Sequence, residues 1–291
     1  LAGPPGKAGP VMILTLSCPD RPGIIAAVSS FIAAHNGTIG ESASHSEPAT
    51  RHFFMRQEIL AASLPFGVDE FRTRFAPIAG GFDMQWNISD SAVKKRVVLL
   101  VSKQDHCLAD LLYRWRSKEF DFDIPCVISN HDALRNLAEW HGIPYIHVPV
   151  TPQNKKVAHA KMLDLCEQHG ADAIVLARYM QVLPDDFCNA YPNRIINIHH
   201  GLLPAFVGAR PYHQAFERGV KQIGATCHYV PHELDAGPII EQDVIRVDHS
   251  ESVEDLIRLG RDVEKTVLSR GVRYHVEDRV LVHGERAVVF K

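Results

Sequence analysis

The chain lacks any cysteine pairing that would announce a metal or redox site. Its six cysteines, Cys18, Cys107, Cys126, Cys166, Cys188 and Cys227, are scattered without a C-x-x-C pair. That excludes a disulfide framework and a thiolate zinc site and leaves reduced, mostly buried thiols. Also missing is any apolar run long enough to span a bilayer. There is no basic excess either: a formal net charge of −3 gives no electrostatic footprint for nucleic acid or an anionic membrane. The opening Leu1 to Pro10 has no apolar h-region and reads as a loose leader, so the cytoplasm is the expected location. What remains is ordinary globular composition: 291 residues, 46% apolar and 22% charged, enough for about two domains with a core each.

Residues 11–90 predict a compact βαββαβ order. Val11 to Leu16 reads as a strand, and Cys18 to Gly23 as a turn into a helix, with Asp20 as the N-cap and Pro22 at an early helical position. Ile24, Ile25, Val28, Phe31 and Ile32 recur at helical spacing until Asn36-Gly37 stops the run. Strands over Thr38 to His45 and His52 to Leu60, a helix from Val68 to Pro77 and a strand from Met84 to Ile88 complete a ferredoxin-like sandwich. At Asp20-Arg21-Pro22-Gly23, with the Asn36-Gly37 turn, this segment resembles an ACT domain. The resemblance implies a regulatory module that takes an amino-acid effector, received at the helix start near Gly23, and a homo-oligomer paired through sheet edges. A tight strand-to-helix turn accounts for the same four residues structurally.

After a polar link at residues 89–95, the alternation becomes strand, helix, strand, helix. Strands are expected at Arg96 to Ser102, Ile124 to Ser129, Tyr145 to Val150, Ala173 to Ala177 and Ile195 to His199. Helices are expected over Leu108 to Trp115, from Asp132 as a cap to His141, and from Val157 to His169. This is the pattern of a doubly wound, mostly parallel, Rossmann-like α/β sheet, whose ligands sit beyond the carboxyl ends of the strands. A helix from Pro211 to Gly219, antiparallel strands at Gly224 to Val230 and Ile239 to Val247, a long helix from Ser252 to Arg270 and a closing hairpin follow. The second domain is thus residues 95–291.

The strand at Ile195 ends in Asn197-Ile-His199. Side chains alternate along a strand, so both point to one face. An amide donor beside a group that titrates near neutrality suits acyl chemistry, where an oxyanion and a proton must both be managed. A core strand with one satisfied histidine fits the same residues. Downstream, Gly224 to Gln242 carries His228 on a strand and Asp235 in the loop that turns the chain back. With Leu202-Leu-Pro-Ala-Phe206, these motifs resemble the folate-dependent formyltransferase and formyl-hydrolase superfamily over residues 95–248. The resemblance implies a catalytic trio of Asn197, His199 and Asp235 with His228 in support. It also implies a pterin pocket lined by Met180, Gln181, Val182 and Leu183, with Leu234 contributing. Gly201 departs from the superfamily, whose members usually place a serine there.

Two other chemistries compete. His199, His200, His213, His228, His232, Glu233 and Asp235 offer metal ligands, yet no H-E-x-x-H arrangement occurs and 17 histidines make chance clustering cheap. A dinucleotide oxidoreductase needs a G-x-G-x-x-G turn, and the first strand of the second domain ends in Ser102-Lys-Gln-Asp-His106 instead. The resemblance also implies that a transferase acting on glycinamide ribonucleotide would carry a glycine-rich phosphate cradle in this turn; none is present, so an acceptor without phosphate is favoured, water being the simplest. The resemblance then implies hydrolysis of 10-formyltetrahydrofolate to tetrahydrofolate and formate, with a folate substrate, no cofactor and no metal. An amine-directed formyltransferase and an inactive folate or amino-acid sensor are the alternatives.

Overall fold

The computed structural model describes residues 9–205, 208, 210–231, 233 and 235–291. The chain divides into two compact units. The first holds residues up to Lys94 together with Glu277–Leu281 and Val288–Lys291, and the second holds Lys95–Val276 and Val282–Ala287.

In the first unit, β1 (Val11–Pro19), α1 (Ile24–Ala34), β2 (Ile39–Glu47), β3 (His52–Leu60), α2 (Val68–Gly81) and β4 (Gln85–Asp90) form a ferredoxin-like sandwich with strand order β2-β3-β1-β4. Period-2 alternation sends Phe53, Met55 and Ile59 into a core with Ile24, Val28, Ile32, Phe71 and Phe75 from the helices. Chain reversal after α1 depends on Asn36 at φ 59 and on Gly37, where a Cβ would lie 2.6 Å from Ile32 Cγ2. Asp20 is not the cap of α1. Strand β1 continues to Pro19, paired with His52, and Gly23 at φ 96 occupies the N-cap, while Asp20 accepts a hydrogen bond from Ser46. Helix α2 runs one turn past Pro77, because a proline close to a helix end forfeits only one ladder bond.

The closing residues belong partly to this unit, although the sequence assigns all of 95–291 to the second. The reason is a buried guanidinium. Arg56, 1% exposed on β3, donates from Nη2 to Glu58 at 2.7 Å and to the Glu277 carbonyl at 3.0 Å, and from Nε to the Asp278 carbonyl at 3.2 Å. Arg279 donates to Glu41 at 3.1 Å. A buried charge must be met by acceptors, and these come from the C-terminal segment.

The second unit is built on an eight-stranded sheet. Its strands are β5 (Lys95–Val101), β6 (Phe122–Asp123), β7 (Val127–Ser129), β8 (Tyr145–His147), β9 (Ala173–Ala177), β10 (Ile195–His199), β11 (Gln222–Tyr229) and β12 (Ile239–Arg246). The order is β12-β11-β10-β9-β5-β7-β8, with β6 beside β5. The five strands from β8 to β10 run parallel, while β11 and β12 are antiparallel. Every residue of β9 is buried, as a strand covered on both faces requires. Helices α3 (His106–Arg116), α4 (Arg135–Trp140), α5 (Lys155–Gln168), α6 (Asp185–Ala190), α7 (Pro211–Glu217) and α8 (Val253–Val276) connect or follow the strands. Met162 and Cys166 of α5 and Phe187 of α6 share a core with Ile174 of β9 and Ile195 of β10. The short β6 and α6 have no counterpart in the sequence reading, being too brief for a period to register. Asp132 precedes α4 without capping it; its carboxylate pairs with Arg135 instead, and Leu134 is the N-cap. A hairpin of β13 (Val280–His283) and β14 (Arg286–Val289) closes the chain.

Glycine sets how closely α8 approaches the sheet. A Cβ at Gly271 would collide with Cys227 Sγ on β11, a fully buried neighbour. Gly271→Ala is therefore expected to destabilise the protein by about 1–3 kcal/mol through overpacking, read as a lower urea midpoint with unchanged slope.

Candidate active site

Strand β10 carries Asn197 and His199 to the carboxyl end of the parallel sheet. Antiparallel register sets Asn197 opposite His228 and His199 opposite Thr226 on β11. Asn197 Nδ2 lies 3.2 Å from His228 Nε2, and His228 Nδ1 lies 2.8 Å from the Tyr229 carbonyl. Since a carbonyl only accepts, the proton of His228 sits on Nδ1 and Nε2 accepts from Asn197. Burial lowers the His228 pKa, outweighing the Tyr229 carbonyl and Asp235, so the ring is neutral. Its 3.9 Å approach to Asp235 is then a contact with a neutral imidazole rather than an ion pair.

Asp235 closes the group. Its Oδ2 is 3.3 Å from His199 Nδ1 and accepts from the Gly208 N–H at 3.3 Å. Burial raises this carboxyl, but the His199 hydrogen bond and charge, the Gly208 N–H and His228 outweigh that and leave its pKa below the ordinary value. Asp235 is therefore ionised at neutral pH. It reaches this position at φ 57, in the left-handed region that aspartate tolerates better than most residues. The structure thus brings together Asn197, His199, His228 and Asp235, all four singled out in the sequence.

These groups open on a cavity of about 250 Å³. The segment after β9 forms one wall, where Met180, Gln181, Val182 and Leu183 all line the cavity as expected. Leu183 is buried, while Met180 and Val182 are 54% and 53% exposed, an unfilled apolar surface next to polar groups. Ser102 at the end of β5 pins this segment by accepting the Met180 N–H at 3.0 Å while donating to Asn130 at 2.7 Å. Leu234, expected in the same pocket, lies outside the described residues. Gly201, singled out for the serine expected in its place, accepts from Thr226 Oγ1 through its carbonyl at 2.8 Å.

Two further lining residues carry charge or could carry it: Arg178, given no role from the sequence, and His200, weighed there only as a metal ligand. Arg178 leaves β9 at φ 63, and His200 follows the end of β10 at His199. Burial and then the Arg178 charge lower the pKa of His200 to about 3, so it stands neutral beside His199. Glu264 of α8, 1% exposed, lies beneath them; it accepts from Tyr212 at 2.6 Å and sits 2.8 Å from His106 Nε2. Its apolar neighbours in the helix hid it in the sequence, though an acid flanked by Val263 and Val267 on a buried stripe was a usable signal. Among the described residues, His106, Cys107 and Glu264 are the grouping with metal-ligand spacing. Both Glu264 oxygens are already engaged there, and burial holds the Cys107 thiol protonated. The effector residues fare differently. Asp20, Arg21, Pro22 and Gly23 precede α1, while Asn36 and Gly37 follow it, so the two turns stand at opposite ends of an 11-residue helix, about 16 Å apart. Arg21 is held by the Gly81 carbonyl and Asp83.

Residues 95–272 match the formyl transferase family, so the chain belongs to that family. Within it, the similarity is to formyltetrahydrofolate deformylases. The enzyme of that name from Bacillus subtilis is 47% identical over 278 residues, 95% of this chain and 93% of the relative. The crystal structure of one from Pseudomonas syringae pv. tomato superposes with a TM-score of 0.97 at 59% identity, over 98% of this chain and 96% of that one. By contrast, a glycinamide ribonucleotide transformylase from Symbiobacterium toebii covers 68% of this chain, at 30% identity and a TM-score of 0.65.

A neutral, half-buried His200 has a thermodynamic signature. Its folded pKa is depressed below the unfolded value of about 6.5, so its contribution is complete above that pH and is lost as pH falls toward 3. Urea titrations should show His200→Gln reducing the slope of stability against pH between 6.5 and 5 by up to about 1.4 kcal/mol per unit.

Proposed function

We propose that the protein hydrolyses 10-formyltetrahydrofolate to tetrahydrofolate and formate. The observation that carries this reading is the convergence of Asn197, His199, His228 and Asp235 at the mouth of a cavity walled by Met180 to Leu183. The apolar wall fits the pterin rings, and the four polar groups fit the formyl carbon. One Asn197 amide hydrogen is committed to His228, which fixes the side chain and leaves its second hydrogen for the formyl oxygen as that becomes an oxyanion. Asp235 orients the attacking water and stabilises His199 when it is charged; His199 delivers a proton to the departing nitrogen. The proposed reaction needs only substrate and water, with neither cofactor nor metal. Near full-length likeness to deformylases supports water as the acceptor, since the transformylase relative spans only 68% of the chain.

The reading extends to the first unit. An amino-acid effector would meet the Asp20 to Gly23 turn, where Gly23 at φ 96 opens the start of α1. The chain would form a homo-oligomer through β2 or β4, the edge strands of that sheet. No helix among the described residues is long and apolar enough to cross a membrane, and we place the enzyme in the cytoplasm.

Purified protein given 10-formyltetrahydrofolate alone should release formate stoichiometrically with tetrahydrofolate. Turnover only when an amine is added would instead identify a transferase, and binding without turnover a sensor. Asn197→Ala should lose roughly 10²–10³ in kcat, and near-normal turnover would remove Asn197 from the mechanism. Equilibrium dialysis against the common amino acids should find one retained by the wild type and lost in Asp20→Ala; sedimentation should give a mass above that of one chain.

A further inference from the structure

Arg178 is the one fixed cation among the described residues that line the cavity, and the mechanism above does not use it. It stands at φ 63, a conformation that costs any residue with a Cβ and that glycine would adopt freely. Its side chain is 11% exposed. The nearest anion, Glu264 Oε2, is 3.4 Å from Nε, yet that carboxylate already takes Tyr212 on one oxygen and His106 on the other. Nε and Nη1 of Arg178 make no hydrogen bond among the described residues. Arg178 thus combines a left-handed backbone, a largely buried guanidinium and two unpaired donors in the wall of the cavity.

Hydrolysis supplies that acceptor. Water oxygen bonds to the formyl carbon as His199 takes one of the water protons, the C–N bond breaks with His199 returning that proton to the nitrogen, and the formic acid formed loses its remaining acidic proton to solvent to become formate. A new anion then lies in the same cavity as the ionised Asp235, and the two repel. Transfer to an amine creates no carboxylate at this point. We propose that Arg178 is the receptor for the formate product, drawing the carboxylate away from Asp235 by hydrogen bonds from its guanidinium. The proposal rests on the hydrolytic reading of the cavity, and it assigns Arg178 to the anion that distinguishes hydrolysis from transfer. Glu264 stands 3.4 Å from Nε without a hydrogen bond to it, and Tyr212 and His106 hold that carboxylate in place.

The test is direct binding of formate to the full chain. Sodium formate is titrated into wild type, Arg178→Lys, Arg178→Met and Arg178→Gly at constant ionic strength maintained with sodium chloride, followed by calorimetry and by the thermal midpoint. Formate should bind the wild type, bind Arg178→Lys more weakly, and bind Arg178→Met and Arg178→Gly at least 10-fold more weakly than the wild type. Arg178→Gly relieves the backbone conformation, so it keeps the measurement interpretable should Arg178→Met fold poorly. Equal formate affinity across the four proteins, or no formate effect beyond that of chloride in the wild type, overturns the proposal; a merely structural Arg178 would change the midpoint and leave formate affinity untouched. Because the titration requires no turnover, it decides the role of Arg178 separately from the assay that decides hydrolysis.

Discussion

The antiparallel register of β10 against β11 is the constraint on which the site depends. It sets Asn197 opposite His228; the Tyr229 carbonyl fixes the tautomer of the imidazole, and the hydrogen bond to its Nε2 fixes the orientation of the amide. A slip of one residue would turn Asn197 and His199 to the opposite face of the sheet. The register is guarded on both sides. Ile195, Ile196 and Ile198 are buried within the sheet, and β12 pairs with β11 beyond it. Thr226, opposite His199, ties the turn after β10 by donating to the Gly201 carbonyl and accepting from the Leu203 N–H.

Electrostatically the site is a small set of opposed choices. Two imidazoles, the half-buried His200 and the buried His228, are kept neutral by desolvation. Asp235 is kept charged against the same desolvation by donors aimed at its oxygens. Burial by itself favours neutrality in every ionisable group, so charge survives only where hydrogen bonds have been arranged for it. Glu264 repeats the logic one layer deeper, with Tyr212, His106 and Arg178 around it.

Much of this arrangement was legible in the sequence, and the legible part has a common cause. Asn197, His199, His228 and Asp235 lie on or beside strands whose alternation dictates where side chains point, so two short motifs sufficed to bring them together. The sandwich order of the first unit and the parallel run from β5 to β10 followed from periodicity in the same way. Local periodicity does not contain pairings between distant side chains. Glu264 lies on a helix read only for its apolar stripe, and its partner Arg178 is 86 positions earlier in an apolar strand exit. Asp20 and Asp132 each look like helix caps, yet their carboxylates are drawn to other side chains, Asp20 accepting from Ser46 on β2 and Asp132 from Arg135 at the first position of α4. The destination of the last residues was equally hidden, because it depends on what Arg56 lacks on β3 rather than on anything near position 277.

That destination has a practical corollary for anyone who would dissect the protein. Since Glu277 to Leu281 complete the coordination of Arg56, the first unit is not a contiguous gene segment. A fragment stopped at the polar link would bury an arginine stripped of its carbonyl acceptors, and a fragment begun there would carry a tail made to cover a surface it no longer possesses. Transplanting either unit as a cassette therefore requires grafting the tail onto the first ninety residues, by permutation or by a tether, before its solubility says anything about independent folding.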